Sequence, residues 1–374
     1  MTFVPQQPPP LPVSFSGDRG EFFRLVVRGA GLELITVGFY RFWLATDIRR
    51  HLWSNTNIDG DAAEYTGRAK ELLIGFLFAL AILVPVYLAY FLAGLEAERL
   101  KAFASFPLFA FFYLFGQFAI YRARRYRLTR TVWRGVRFWM SGSGWAYAAR
   151  AALWGVLMIL TLGLVLPWRE AALERYKMRH SYYGDLQGSF DGRGWEFFKR
   201  GWWLWPLAPI ALYVFPLAPF VYGAFKAVQW RWWLSGIRFG EVRLESTLRR
   251  GALIGLYWKM VGWIVVLGLA LAAWLALCAT VIGRMSGVPL SQFFEPQVFL
   301  KSIPLLVLAG VGYLVFALAL NVVMRVYLLR DLWVRILASS VVHDIAAAAN
   351  VSARGDLANA LGEGFADGLD VAGF

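Results

Sequence analysis

Apolar and polar positions alternate along this chain in long blocks. Four apolar runs, Leu72–Gly94, Phe103–Tyr121, Val261–Ile282 and Ile303–Tyr327, are each long enough to cross a hydrocarbon core of roughly 30 Å as helices. Three shorter apolar segments, 24–43, 147–168 and 201–224, are separated by basic-aromatic patches and short polar stretches. One such stretch, Trp53–Thr66, carries Asp59-Gly60 between two short candidate strands, a favoured two-residue hairpin turn. Comparable stretches surround Gly135, Gly184 and Gly236. The pattern predicts a mainly α, multi-pass integral membrane protein with small β-hairpins meeting at one membrane surface, an α+β surface layer.

A phrase recurs within this pattern: an aromatic, one residue, a glycine, three residues, a glutamate and two large apolar residues. It reads Phe15-Ser-Gly17…Glu21-Phe22-Phe23, then Tyr65-Thr-Gly67…Glu71-Leu72-Leu73, then Phe190-Asp-Gly192…Glu196-Phe197-Phe198. A shift of 125 positions also aligns Thr36-Val-Gly38 with Thr161-Leu-Gly163, Trp43 with Trp168 and Arg50 with Arg175. A shift of 75 aligns Arg49-Arg50-His51 with Arg124-Arg125-Tyr126 and Gly67 with Gly142, and a further shift of 101 aligns Gly135-Val-Arg-Phe138 with Gly236-Ile-Arg-Phe239. Offsets that hold over this many positions predict internal repeats. The units run about 15–64, 65–139, 140–189, 190–240 and 241–344, in one membrane domain. Residues 1–14, rich in proline, read as an N-terminal tether, and 345–374 as a mobile C-terminal tail with one weak helix around Leu357–Leu361.

Charge decides which side each block faces. The stretches 44–70, 122–145, 169–200 and 225–250 hold four, seven, seven and six Lys or Arg, against two each in 95–102 and 283–302. The positive-inside rule puts the four basic stretches, and with them both termini, in the cytoplasm. Each of the three shorter apolar segments then joins two regions on the same side, which a single crossing cannot do. The expected solution is four crossings, with the shorter segments dipping in and returning as re-entrant elements; the prolines 206, 209, 216 and 219 and the glycines 29, 31 and 38 permit this. Ala151–Trp168, apolar throughout, is the segment that fits this least well. About seven ordinary crossings, with one basic loop misplaced, is the alternative.

The run Thr36-Val-Gly-Phe-Tyr-Arg-Phe-Trp43, with Arg49-Arg50-His-Leu-Trp53-Ser-Asn-Thr56, Asp59-Gly60 and Tyr65-Thr-Gly67…Glu71-Leu72, resembles the YjgN-like bacterial inner-membrane proteins. The resemblance is specific over the first 95 residues, patchier to about 250, and rests on hydropathy beyond. It implies a multi-pass protein of the bacterial inner membrane. It implies no activity, because the family is one of unknown function.

Composition narrows the chemistry. The net charge of +14 does not point to nucleic acid, because the basic residues flank apolar segments, where they fix orientation and meet anionic headgroups. One cysteine, Cys278, excludes an intrachain disulfide, and the three histidines are far apart, so no metal or other cofactor is expected. Arg49, Arg50, Arg124, Arg125 and Arg175, interleaved with Trp43, Trp53 and Tyr126, are candidates for holding anionic lipid, since guanidinium forks suit phosphate and aromatics suit the headgroup layer. The same residues also serve as generic topology anchors. Glu21, Glu71 and Glu196 open apolar segments, where acids suit a helix N-terminus, and the repeated arginines are their expected partners. Gly17, Gly67 and Gly192 are expected to allow tight turns or close backbone approach. Glu33 is the one acid inside a short apolar segment and so a candidate intramembrane polar site; Lys259 and Arg325 are expected to snorkel, and Asn321 and Gln117 to bond between helices. Phosphate-loop, nucleophile-elbow and zinc-helix signatures are absent. These features support a non-enzymatic membrane protein that binds lipid or organises the envelope through a basic-aromatic cytoplasmic face. A small-solute transporter or channel lined by the broken segments is the alternative.

Overall fold

A computed structural model describes residues 10–96, 101–214, 216–286, 303–355 and 357. Helices dominate. The chain opens with two short strands, β1 (Leu11–Pro12) and β2 (Ser14–Phe15), and a first helical passage, α1 (Arg19–Ile35) and α2 (Arg41–Ser54). A hairpin follows, β3 (Thr56–Ile58) and β4 (Asp61–Tyr65), then two long helices, α3 (Ala69–Glu96) and α4 (Lys101–Thr129). The hairpin β5 (Thr131–Trp133) and β6 (Val136–Met140) leads to α5 (Gly144–Leu160) and α6 (Leu166–Arg179). After β7 (Ser181–Tyr183) and β8 (Leu186–Phe190) come α7 (Gly194–Gly201), α8 (Leu204–Tyr213) and α9 (Leu217–Gly236). The last hairpin, β9 (Ile237–Phe239) and β10 (Val242–Ser246), is followed by α10 (Ile254–Ser286) and α11 (Ile303–Val323). A π-helical turn, Met324–Arg330, and α12 (Asp331–Ala338) then lead into β11 (Ser340–His343).

Every helical passage therefore leaves one strand and returns to the next. Ala69–Leu92, Ile254–Met285 and Ile303–Ala338 are long and apolar enough to cross a membrane. The other passages are shorter and broken. Segment 24–43 turns at Thr36–Tyr40, and Ala151–Trp168, which sequence alone would allow to cross, turns at Thr161–Val165. The proline-rich segment is divided into α7, α8 and α9, with Pro216 as the N-cap of α9.

The strands join into one antiparallel sheet in the order β1-β11-β10-β9-β8-β7-β6-β5-β4-β3-β2. Only Val13 separates β1, which pairs with β11, from β2, which pairs with β3. The Val13 amide donates to the Ser340 carbonyl at 3.1 Å. One extended segment thus serves both ends of the sheet and closes it into a barrel-like ring, which removes its edges. Leu11–Phe15 belongs to this ring, so the end of the proline-rich start is not a tether; residues 1–9 lie outside those described.

The turns follow local chemistry. Asp59-Gly60 and Arg134-Gly135 both hold φ near +50° and +80°, as a type I′ hairpin requires. The hairpin expected around Gly236 turns instead at Gly240-Glu241; Gly236 ends α9, where its Cα faces the Phe190 ring. Period-two alternation fills the ring with apolar side chains. Val13, Trp133, Tyr183, Val242 and Val342 form its buried centre, with Phe138 and Phe239 packed edge to face at 5.7 Å. The segment after β11 covers this core: Ala348 is buried in it, with Ile345, Ala347 and Val351 alongside. The Ser352 amide donates to Asp185 Oδ1 at 3.2 Å. Residues 345–355 are therefore packed rather than a loose tail. The helix expected around Leu357–Leu361 falls almost wholly outside the described residues.

Candidate functional site

The residues singled out by sequence gather where the strands hand over to the helices. At Phe15-Ser-Gly17, Tyr65-Thr-Gly67 and Phe190-Asp-Gly192 the aromatic ring folds back over the glycine two residues on. A Cβ at these glycines would meet the ring carbons at 2.6, 2.5 and 2.5 Å. Glycine is required there by the neighbouring ring rather than by an unusual φ, and each aromatic-x-glycine phrase is a local packing unit.

The predicted arginines bond across this junction, Arg49 from a buried position and Arg50 and Arg175 from exposed ones. Arg50 Nη2 donates to the Gly67 carbonyl at 3.0 Å, and Arg175 Nη2 to the Gly192 carbonyl at 3.2 Å. Arg49, only 5% exposed, donates to the Tyr65 hydroxyl at 3.3 Å. Arg124 reaches Glu174 at 3.2 Å and Met178 Sδ at 3.2 Å. Arg125 also has a partner within the fold. Trp53 Nε1 donates to Thr131 Oγ1 at 3.1 Å while its ring stacks on Trp333 at 5.0 Å. Trp43 stacks on Tyr40, and fully buried Tyr126 donates to Glu71 at 2.8 Å.

The carboxylates diverge. Glu71 is paired with Arg130 at 2.9 Å. Glu21 lies close enough to His51 to oppose the downward push that burial gives the imidazole pKa. Glu196 is exposed in the first turn of α7. Glu33 is tied to Arg325 of the π-helical turn at 3.4 Å, so Arg325 does not snorkel away from the helices. The buried Asn321 Oδ1 makes no interhelical hydrogen bond.

A different set of basic residues faces open space. A cleft of about 400 Å³ lies against β9 and β10 and adjoins a recess of about 240 Å³; Arg200 of α7 and Arg231 of α9 line both. Arg250, following β10, lines the recess. Around the larger cleft the other charges are satisfied: Arg238 is paired with Asp191, Arg243 with Asp344 at 2.7 Å, and His343 with Glu245 at 3.0 Å. Arg200, Arg231 and Arg250 have no salt bridge among the described residues. Three guanidiniums without a salt bridge among the described residues thus line concave surface at the level where strands meet helices, a charge pattern that suits an anion.

The chain matches the family described as "Bacterial protein of unknown function (DUF898)" over residues 10–226, more than half its length. It belongs to DUF898. No curated protein and no solved structure matches it. The DUF898 match takes in all three aromatic-x-glycine phrases, together with Arg50 and Arg175, which serve Gly67 and Gly192. It ends before Arg231 and Arg250, so the cleft straddles its boundary. Sequence reading missed the cleft because its three arginines come from separate elements. The only signal was the six basic residues counted between 225 and 250, of which Arg231 and Arg250 are two.

Proposed function

We propose that this DUF898 protein is a non-enzymatic integral membrane protein that holds a phosphate-bearing lipid headgroup where the cleft and recess lined by Arg200, Arg231 and Arg250 adjoin. The observation that carries the reading is that Arg200 and Arg231 line both the cleft and its recess, Arg250 lines the recess, and none of the three has a salt bridge among the described residues. Tryptophans 202, 203, 230 and 233 flank the same elements, as they do at a headgroup layer. The reading centres the lipid contact on this cleft rather than on Arg49, Arg50, Arg124 and Arg175, each of which makes at least one hydrogen bond within the fold.

The topology that goes with it is one of repeated units, each a helical passage followed by a hairpin, with every passage returning to the sheet side. The excess of Lys and Arg at that level supports a cytoplasmic sheet. The long passages cross and come back; α1–α2, α5–α6 and α7–α9 enter and return without crossing. A transport reading has less support, since Glu33, its leading intramembrane group, is tied to Arg325.

The test is lipid retention. Wild type and Arg231→Ala/Arg250→Ala are purified from the same membranes, and bound phosphatidylglycerol is counted by native mass spectrometry. The wild type is expected to retain it and the variant to lose most of it; equal retention overturns the reading. In a second arm, inorganic phosphate and phosphatidylglycerol are compared as thermal stabilisers. Stabilisation by lipid at concentrations where phosphate has no effect supports a headgroup site. Equal stabilisation overturns it in favour of a soluble anion.

A further inference from the structure

The inference rests on the returning topology proposed above and concerns the tips of α1–α2 and α5–α6. Both tips have the same self-contained turn. Thr36 Oγ1 donates to the Leu32 carbonyl at 2.7 Å and accepts from the Tyr40 amide at 2.9 Å. The Gly38 amide closes on the Glu33 carbonyl at 2.7 Å, and the amides of Thr36, Val37, Phe39 and Arg41 all find carbonyls within the tip. At the second tip Thr161 Oγ1 donates to the Leu157 carbonyl at 2.7 Å and accepts from the Val165 amide at 3.4 Å. The Gly163 amide closes on the Met158 carbonyl at 2.7 Å, with Thr161, Leu162, Leu164 and Leu166 similarly satisfied. Left-handed caps of this kind also end helices in water. A turn placed in hydrocarbon has to satisfy its donors itself.

The side chains point the same way. Ile35 is 78% exposed and Val37 87%, and at the second tip Ile159 is 75% and Leu162 92% exposed. Nothing among the described residues covers these apolar groups. The uncharged stretch Ala151–Trp168 has 18 residues for both the way in and the way out, whereas one crossing takes about 20. Each leg of about nine residues advances roughly 14 Å, about half of a 30 Å core. The first tip is shorter still, bracketed by Arg28 and Arg41.

We propose that these tips act as a one-sided wedge. They add helix volume to the leaflet on the sheet side and none to the opposite leaflet, which holds only the crossing helices. A helix about 10 Å wide occupies on the order of 80 Å² of membrane area, so α1, α2, α5 and α6 add on the order of 300 Å² to one leaflet alone. The lipid surface that fits this shape is a bilayer whose sheet-side leaflet is the convex one.

The test uses the full chain with Cys278→Ala and a single fluorophore-labelled cysteine replacing Val37 or Leu162. The first arm measures depth, with quenchers placed at mid-chain or at the headgroup. The second reconstitutes the same protein into a mixture of small sonicated and large extruded phosphatidylcholine vesicles, then measures its distribution and the protease accessibility of the hairpins. Expected are stronger mid-chain quenching and a several-fold preference for small vesicles with the hairpins outside. Headgroup-depth quenching, or labelling from the opposite side, overturns the returning topology and the wedge with it. Mid-chain depth with equal distribution between vesicle sizes overturns the wedge alone. A charged variant, Leu162→Glu, is expected to lose the size preference; keeping it in full also overturns the wedge.

Discussion

Arg330 Nη2 donates to the carbonyl of Gly17 at 2.8 Å, joining residues 313 positions apart. Arg50 makes the same contact to Gly67 and Arg175 to Gly192, each across 17 positions. The long-range bond is therefore the form the local one takes where the two ends of the sheet meet. Arg19–Asp331 at 2.6 Å and Trp333 Nε1 to Thr56 Oγ1 at 3.1 Å fasten the same seam.

Replacing Arg330 with Ala should loosen this seam before anything else. A hydrogen bond to a charged donor contributes about 1.5–3 kcal/mol. Hydrogen exchange is expected to accelerate over residues 11–17 and β11 while the β5–β6 and β7–β8 hairpins keep their protection. Uniform acceleration along the whole sheet would contradict a local seam. Arg330→Lys should recover little, because an ammonium lacks the guanidinium's extended fork.

Gly192→Ala places a methyl where the Phe190 ring already sits. Overpacking of this kind costs about 1–3 kcal/mol. Thermal unfolding in detergent should show the loss, and Phe190→Leu/Gly192→Ala should lose less than the sum of the two single variants. Strict additivity would mean that ring and glycine do not interact.

The aromatic-x-glycine phrase was conspicuous in the sequence, yet its reason was not. The spacing suggested a turn, whereas the structure shows a ring occupying the missing side chain's place. The Asp59-Gly60 hairpin was legible because a two-residue turn is encoded locally. Ring closure was not, because Leu11–Phe15 finds one partner about 40 residues away and the other beyond residue 340. The contacts of the arginines were hidden for a related reason. Arg50 beside aromatics suits a lipid phosphate equally well, and nothing local marks a carbonyl 17 residues on as its acceptor. Arg200, Arg231 and Arg250 are each ordinary in their own element; only the packing of α7 and α9 against the β9–β10 hairpin brings them together.

Glu174 links the fold to pH. Burial pushes its pKa up, but the charges of Lys177 and Arg124 outweigh that and hold it below the usual carboxylate range. A depressed folded-state pKa means stability that is present above the ordinary carboxylate range and lost as pH falls through the folded value. Glu174→Gln leaves two cations without their acid and is expected to cost about 3–5 kcal/mol at neutral pH. The gap in melting temperature between wild type and variant should narrow on acidification below about pH 4.5. A gap that stays constant down to pH 3 would assign Glu174 no electrostatic role.

Glu33 and Arg325 should behave as a pair. Glu33→Leu alone strands a guanidinium among helices and is expected to lower stability by about 2–4 kcal/mol. Glu33→Leu/Arg325→Met should regain most of that loss, because two apolar side chains of similar length need no partner. If the double variant is as unstable as the single, the pair is not what Glu33 is for.

The two-ended role of Leu11–Phe15 bears on the order of events at the ribosome. This segment is made before the strands it pairs with, and one of its two partners, β11, emerges more than 300 residues later. Until then the growing sheet has two open edges. A chain stopped short anywhere before Ser340 keeps those edges, and unpaired strand edges invite aggregation. The ring can form only once translation has passed β11, so its closure doubles as a check that the helices between have been synthesised.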